Sequence, residues 1–195
     1  MPIEPYKPPK AMLRALEEAT PTLPAEYSFV GQMIGDVMKT PDKYWCHPVY
    51  TAGLRDMTAA GGLKKADLAG WRFLVQSGKG RKFALDVRPD EDGKNHALTE
   101  IDKGPYIDAL CKLLDDKTLV RQLGATVYKP STIRINALGV FAVWLRTEKP
   151  GGDIIIPCAP APRCLKVGQH YTVAAFEEAL RAEAKKQLKS SDRDA

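Results

Sequence analysis

The stretch from Trp71 to Val87 limits what this chain can fold into more than any other. Trp71-Arg72-Phe73-Leu74-Val75 and Lys82-Phe83-Ala84-Leu85-Asp86-Val87 alternate with the period of a strand, and Ser77-Gly78-Lys79-Gly80 separates them. Side-chain pairing selects the loop. An even-numbered loop sets Phe73 against Ala84 and Trp71 against Asp86, mixing the two faces. The loop Gly78-Lys79-Gly80 instead pairs Trp71 with Val87, Phe73 with Leu85 and Val75 with Phe83, and sets Arg72 opposite Asp86 on the other face. Gly80 supplies the left-handed residue that such a loop needs at its last position.

Around this hairpin the apolar pattern predicts helices and further strands. Helices are expected over 10–18 and 25–39, the second with Tyr27, Val30, Ile34, Val37 and Met38 on one stripe and Thr40-Pro41 ending it. Pro48 reads as the first residue of a third helix, which Gly61-Gly62 stops. After an acidic loop, Gly104-Pro105 opens a helix with Ile107, Leu110, Cys111 and Leu114 on its stripe; it continues or restarts through Leu119 and Leu123 to Gly124. Strand candidates follow at 125–128, at 133–146 with a break at Leu138-Gly139, and at 153–158, where Ile154-Ile155-Ile156 suggests cover on both faces. A last helix buries Val173, Phe176, Leu180, Ala184 and Leu188, with Thr172 as N-cap.

Hairpin-length connections without regular βαβ alternation give an α+β fold. The expected sheet is antiparallel or mixed, of about four to six strands. It includes the hairpin 71–87 and strands near 125–146 and 153–158, packed against N-terminal helices, a central helix over 105–123 and a C-terminal helix over 173–188. Residues 1–9 read as an extended proline-rich arm, 10–189 as one domain and 190–195 as a tail. No apolar run approaches the ~20 residues that span a bilayer, so no membrane association is expected. The start of the chain lacks a basic-then-apolar leader, and with four cysteines the expected setting is the cytoplasm with thiols reduced.

The net charge of +5 is unevenly placed: seven basic residues against two acidic ones fall between Lys64 and Arg88. Lys79, Arg81 and Lys82 are candidate phosphate or nucleic-acid contacts on that segment. Its glycines lack the spacing of a P-loop and already serve the turn. Trp45-Cys46-His47-Pro48 is the candidate catalytic stretch. A helix starting at Pro48 would lower the Cys46 thiol pKa; adjacency does not by itself make His47 the base, so His96 or His170 would have to approach in space, with Cys46, His47 and His170 as the candidate catalytic residues. Cys158, Cys164 and His170 have ligand chemistry, but their five-residue separations are wider than the paired spacings of structural zinc sites, so no metal is expected. Cys111 reads as a core residue.

Pro5 and Pro8 in the arm, and Pro160 and Pro162 in the Ala-Pro stretch after Cys158, are candidate protein-docking positions, because stiff segments lose little entropy on binding. No nucleophile elbow, dinucleotide fingerprint or calcium loop is present, and no cofactor is expected. The leading expectation is a non-enzymatic module that binds another protein, as an adaptor, chaperone or immunity-type factor. Cys-dependent hydrolysis or group transfer through Cys46 is the enzyme alternative, and nucleic-acid binding through 64–88 is the third reading.

Overall fold

A computed structural model describes residues 2–40, 44–76, 80–90, 92–93 and 95–191. Two N-terminal helices, α1 (Lys10–Ala19) and α2 (Ser28–Lys39), lead into strands β1 (Trp45–Thr51), β2 (Asp67–Gln76), β3 (Lys82–Pro89) and β4 (His96–Asp102). Helices α3 (Pro105–Leu114) and α4 (Lys117–Gln122) come next, then β5 (Lys129–Ile135), β6 (Val140–Arg146), β7 (Ile154–Pro157), β8 (Tyr171–Thr172) and α5 (Val173–Ser191). Among the described residues the strands form one eight-stranded sheet in the order β4-β3-β2-β1-β5-β6-β7-β8. Every neighbouring pair is antiparallel except β1 with β5. The class is α+β with a mixed sheet, wider than the about four to six strands expected.

Alternation along the strands sorts side chains to two faces. On the front face, α1 and α2 cover Cys46, Phe73, Val75, Phe83, Leu85 and Val87. Farther along the same face, α5 covers Ile133, Ile135, Ala142, Trp144 and Ile155. On the back face α3 and α4 pack against Leu74, Ala84, Phe141, Val143, Leu145 and Ile156. The hairpin register is the expected one, Trp71–Val87, Phe73–Leu85, Val75–Phe83 and Arg72–Asp86. Gly80 is left-handed, at φ +77°. Loop residues 77–79, Lys79 among them, lie outside the described residues.

Three expectations are corrected. The helix expected from Pro48 is instead β1, near the middle of the sheet. Proline is rare there because it has no N–H for the ladder. Here the ladder with β5 spans only Val49–Thr51. The Cys46 carbonyl points to that side, where it accepts a bond from the Tyr6 N–H. The nitrogen two residues on, at Pro48, faces the same way and meets no ladder bond to interrupt. The arm fills this gap: Ile3 bridges Tyr128 and is 2% exposed.

Second, the acidic loop conceals β4. A register shift against Asp86/Val87 leaves Thr99 unpaired in β4, so Leu98 and Ile101 both pack toward the front-face cluster. A spacing of three on one face does not read as a strand. Third, residues 125–127 carry no strand, and pairing begins at Lys129 after the Tyr128 bridge. The bulge in β4 and the two-residue length of β8 blunt both edges of the sheet.

Helix α5 begins as expected, with Thr172 Oγ1 accepting from the Ala175 N–H at 3.2 Å. Beside its apolar stripe, Glu177 is buried and accepts from the N–H groups of Gly61 (2.8 Å) and Leu63 (2.9 Å), tying the 3-10 turn Gly62–Lys65 to the helix. Gly62 is needed there, because a Cβ would meet the Asp56 carbonyl oxygen at 2.3 Å. Replacing Glu177 with alanine leaves those donors without their acceptor, and urea denaturation is expected to show a loss of about 1–3 kcal/mol. A loss below about 0.5 kcal/mol would mean that solvent satisfies the turn equally well.

Candidate functional site

The strand order decides what Cys46 and His47 can do together. As neighbours in β1 they point to opposite faces. Cys46 lies fully buried in the front-face core, where desolvation pushes its thiol up to about 12. An activated nucleophile needs the opposite shift. His47 is also fully buried, with Nε2 at 2.7 Å from Thr132 Oγ1. Burial, then the charge of Arg72, push its pKa down to about 3, so the ring is neutral. His170 is exposed at the far side of the sheet, just before β8. The three candidate catalytic residues therefore stand apart.

On the back face, cross-strand partners place a polar row over the sheet: His47 opposite Arg72, Arg72 opposite Asp86, and Asp86 opposite Glu100. Arg72 Nε and Nη2 donate to the two Asp86 carboxylate oxygens at 2.6 and 2.8 Å. Arg134 reaches from β5 to the same carboxylate at 3.1 Å and to Glu100 at 3.5 Å. On a flat sheet β5 and β3 would stand about 14 Å apart. Arg134, opposite Thr51, also sits four residues (51 − 47) beyond the row of His47, Arg72 and Asp86, so the contact requires that the twist of the sheet bring β5 and β3 closer over this face. Burial holds the Asp86 carboxyl above its ordinary value, and the Arg72 guanidinium offsets only part of that rise. Phe141 lies beneath both guanidiniums, with centroid distances of 5.5 and 5.9 Å. At the Glu100–Arg134 end a cavity of about 250 Å³ opens, bordered by Asp102, Tyr106, Asn136 and Phe141.

The chemistry of this row is cohesive rather than reactive. Each carboxylate meets a guanidinium, which leaves no strongly basic group to take a proton. The hairpin pattern revealed Arg72 and Asp86. Thr132, Arg134 and Glu100 were missed, although the alternation of Thr132 and Arg134 with Ile133 and Ile135 placed both on one face.

The basic segment loses much of its reach for phosphate. Arg72 is wholly buried, Arg88 pairs with Glu100 at 2.8 Å, Lys82 with Asp115 at 3.8 Å and Lys65 with Asp56 at 3.6 Å. Arg81 also has an interaction partner. Pro5 and Pro160 are exposed, while Pro8 and Pro162 are half-buried.

A groove of about 490 Å³ runs between α3, α4 and the segment leaving β7. Leu113, Leu119, Ile156, Pro157, Ala159 and Val167 line it, and Val167 is 50% exposed. Cys158 and His170 both border it, so this pair from the zinc candidates does share a wall. Burial pushes the Cys158 thiol up to about 12, Cys164 is exposed outside the lining, and among the described residues no metal-binding cluster forms. Cys111 is a core residue with its thiol pushed up to about 11 by burial. Sequence reasoning missed the groove, although Val167, an apolar residue in a polar stretch, was a visible signal.

Comparison with family models, with curated proteins and with solved structures finds no match. Among the described residues, no helix is long and apolar enough to cross a membrane.

Proposed function

We propose that this chain is a protein-binding module of the cytoplasm, and that the α3–α4 groove receives a short segment of its partner. The observation that carries the reading is an apolar groove of about 490 Å³ with a half-exposed valine at its wall. Its size suits one or two anchoring side chains. Charge selects the flanking chemistry. Lys112 lines the groove, and Lys117, Arg121, Arg163 and Lys166 are exposed on the adjoining α4 and wall segments. The Asp116 carboxylate is engaged as the α4 N-cap, accepting from the Thr118 N–H at 2.7 Å. The partner segment is therefore an apolar anchor flanked by carboxylates. Pro160 and Pro162 belong to the wall segment, which stiffens the groove and keeps the entropy lost on binding small.

Selection from a random peptide library against the full chain is expected to enrich acidic sequences with a central apolar residue. Fluorescence anisotropy on those peptides should show binding weakened about tenfold or more by Val167→Glu and by Lys112→Glu. Both positions are exposed, so thermal melts should remain unchanged. No enrichment, or enriched peptides indifferent to both substitutions, would overturn the reading.

A further inference from the structure

The front-face helices leave a seam between the α1–α2 cluster and the α5 cluster, and Arg146, the last residue of β6, stands in it. Its guanidinium carbon lies 5.0 Å from the Trp144 ring centroid and 5.2 Å from that of Tyr50. Nη1 donates to the Tyr50 hydroxyl oxygen at 2.7 Å. Contact with two rings and one hydrogen bond holds the charged plane in place before any ligand arrives.

Arg146 forms no ion pair among the described residues, unlike Arg72, Arg88 and Arg134. Asp153 shares the seam but is held elsewhere, with its oxygens accepting from Trp144 Nε1 at 2.9 Å and from the Thr147 N–H at 3.0 Å. Two clefts meet at the arginine. One, of about 690 Å³, is bordered by Tyr6 and Lys129; the other, of about 490 Å³, by Tyr50, Lys64 and Lys149. Glu4 lines the first cleft and Glu148 lines both. Ser131, opposite Trp144 on the same face, is buried, and its hydroxyl interacts with that of Tyr6.

We propose that this seam is a binding site for a small organic phosphate, with Arg146 as its anion-binding centre. A guanidinium fork satisfies carboxylate and phosphate oxygens alike. Arg146, Lys64, Lys129 and Lys149 stand against Glu4, Glu148 and Asp153, a net charge of +1 (4 − 3), so geometry and not excess charge separates the two: the tetrahedral oxygens of a phosphate can meet the guanidinium fork and ammonium groups from both clefts at once, whereas a planar carboxylate is used up by the fork. Each cleft falls in the roughly 300–1,000 Å³ range of small-molecule sites, so there is room for an organic body beside the phosphate. Lys129 Nζ lies 5.4 Å from the Tyr6 ring centroid, so that ring positions the ammonium group at the first cleft as Tyr50 positions Arg146. The site lies on the opposite face of the sheet from the peptide groove, and neither proposal rests on the other.

Trp144 touches the guanidinium, so its fluorescence reports occupancy, and calorimetry gives the affinity independently. The full chain should be titrated at low salt with inorganic phosphate, adenosine monophosphate, adenosine and succinate. Inorganic phosphate and the nucleotide are expected to bind saturably, the nucleotide more tightly, with adenosine and succinate at least about tenfold weaker. Arg146→Met should weaken phosphate and nucleotide about tenfold or more, and Arg146→Lys by less, because it keeps the charge without the fork. Lys129→Glu and Lys149→Glu, both exposed, should also weaken binding and carry the test if Arg146→Met unfolds. The proposal is overturned by no saturable binding of phosphate or nucleotide, or by succinate binding as tightly as phosphate. It also fails if affinities stay within about twofold in well-folded Arg146→Met or in both lysine variants.

Discussion

Asp86→Ala is expected to lower stability by about 3–5 kcal/mol, the usual result of removing one partner from a buried ion pair. The substitution leaves the Arg72 guanidinium, whose side chain is 0% exposed, with only the Asp102 carboxylate at 4.0 Å among the described residues, and takes from Arg134 its closer carboxylate. In a domain of this length the melting temperature should fall by roughly 6–20 °C. Such a loss is a substantial part of the about 5–15 kcal/mol typical of a folded domain. The double substitution Arg72→Met with Asp86→Leu should recover most of the difference, because apolar residues of similar volume replace a buried pair at little net cost. Urea denaturation of wild type, Arg72→Met, Asp86→Leu and the double variant gives the coupling energy directly. A loss under about 1 kcal/mol in Asp86→Ala would show that the row does not hold the sheet together.

The second large effect is on pH dependence. His47 has its folded pKa pushed down to about 3, against an ordinary value of 6.5, by burial and by Arg72. Below pH 6.5 the unfolded chain takes up a proton at this ring while the folded chain refuses it. Stability is therefore lost as pH falls from about 6.5 toward about 3, and is fully present above 6.5. Between pH 7 and pH 5 the ring alone should account for about 2 kcal/mol. His47→Gln keeps an amide able to reach Thr132 but cannot titrate in this range. Unfolding free energies of the two proteins at pH 7, 6 and 5 test the assignment. The wild-type curve should fall more steeply by about 2 kcal/mol over that range. Parallel curves would mean that His47 accepts its proton in the folded state.

The two predictions together give His47 a structural role in place of the catalytic one its neighbour suggested. With Cys46 on the other face, the ring serves the polar row: it bonds Thr132 on β5 and faces Arg72 on β2. Thus β1, antiparallel to β2 and parallel to β5, is tied to β5 by a side-chain hydrogen bond as well as by its short ladder. A register slip of one residue would turn His47 and Arg72 into the apolar front-face core. The row resists such a slip more strongly than apolar packing alone.

Where the deciding forces are local, the sequence by itself determined the outcome. Alternation and a glycine in the right place settled the β2–β3 register down to the Arg72–Asp86 pair. Proline at the start and glycine beyond the end bounded α3 and α4, Thr172 capped α5, and the helical stripe put Cys111 in the core. The break at Leu138-Gly139 between β5 and β6 was legible for the same reason. Tertiary structure decided the rest. Pro48 reads as a helix start until the β1–β5 ladder is seen to begin beyond it. Leu98 and Ile101 lose their strand period to a bulge that has meaning only against β3. Charges distant in sequence were matched by sheet order, which carried Arg134 to Asp86 and left Arg146 with no ion pair among the described residues. Once residues 45–51 form a strand and not the lead into a helix, alternation alone puts Cys46 and His47 on opposite faces. Periodicity reports how a residue relates to its neighbours in the chain, whereas these features depend on which strands lie side by side. That is set by burial over the whole sheet.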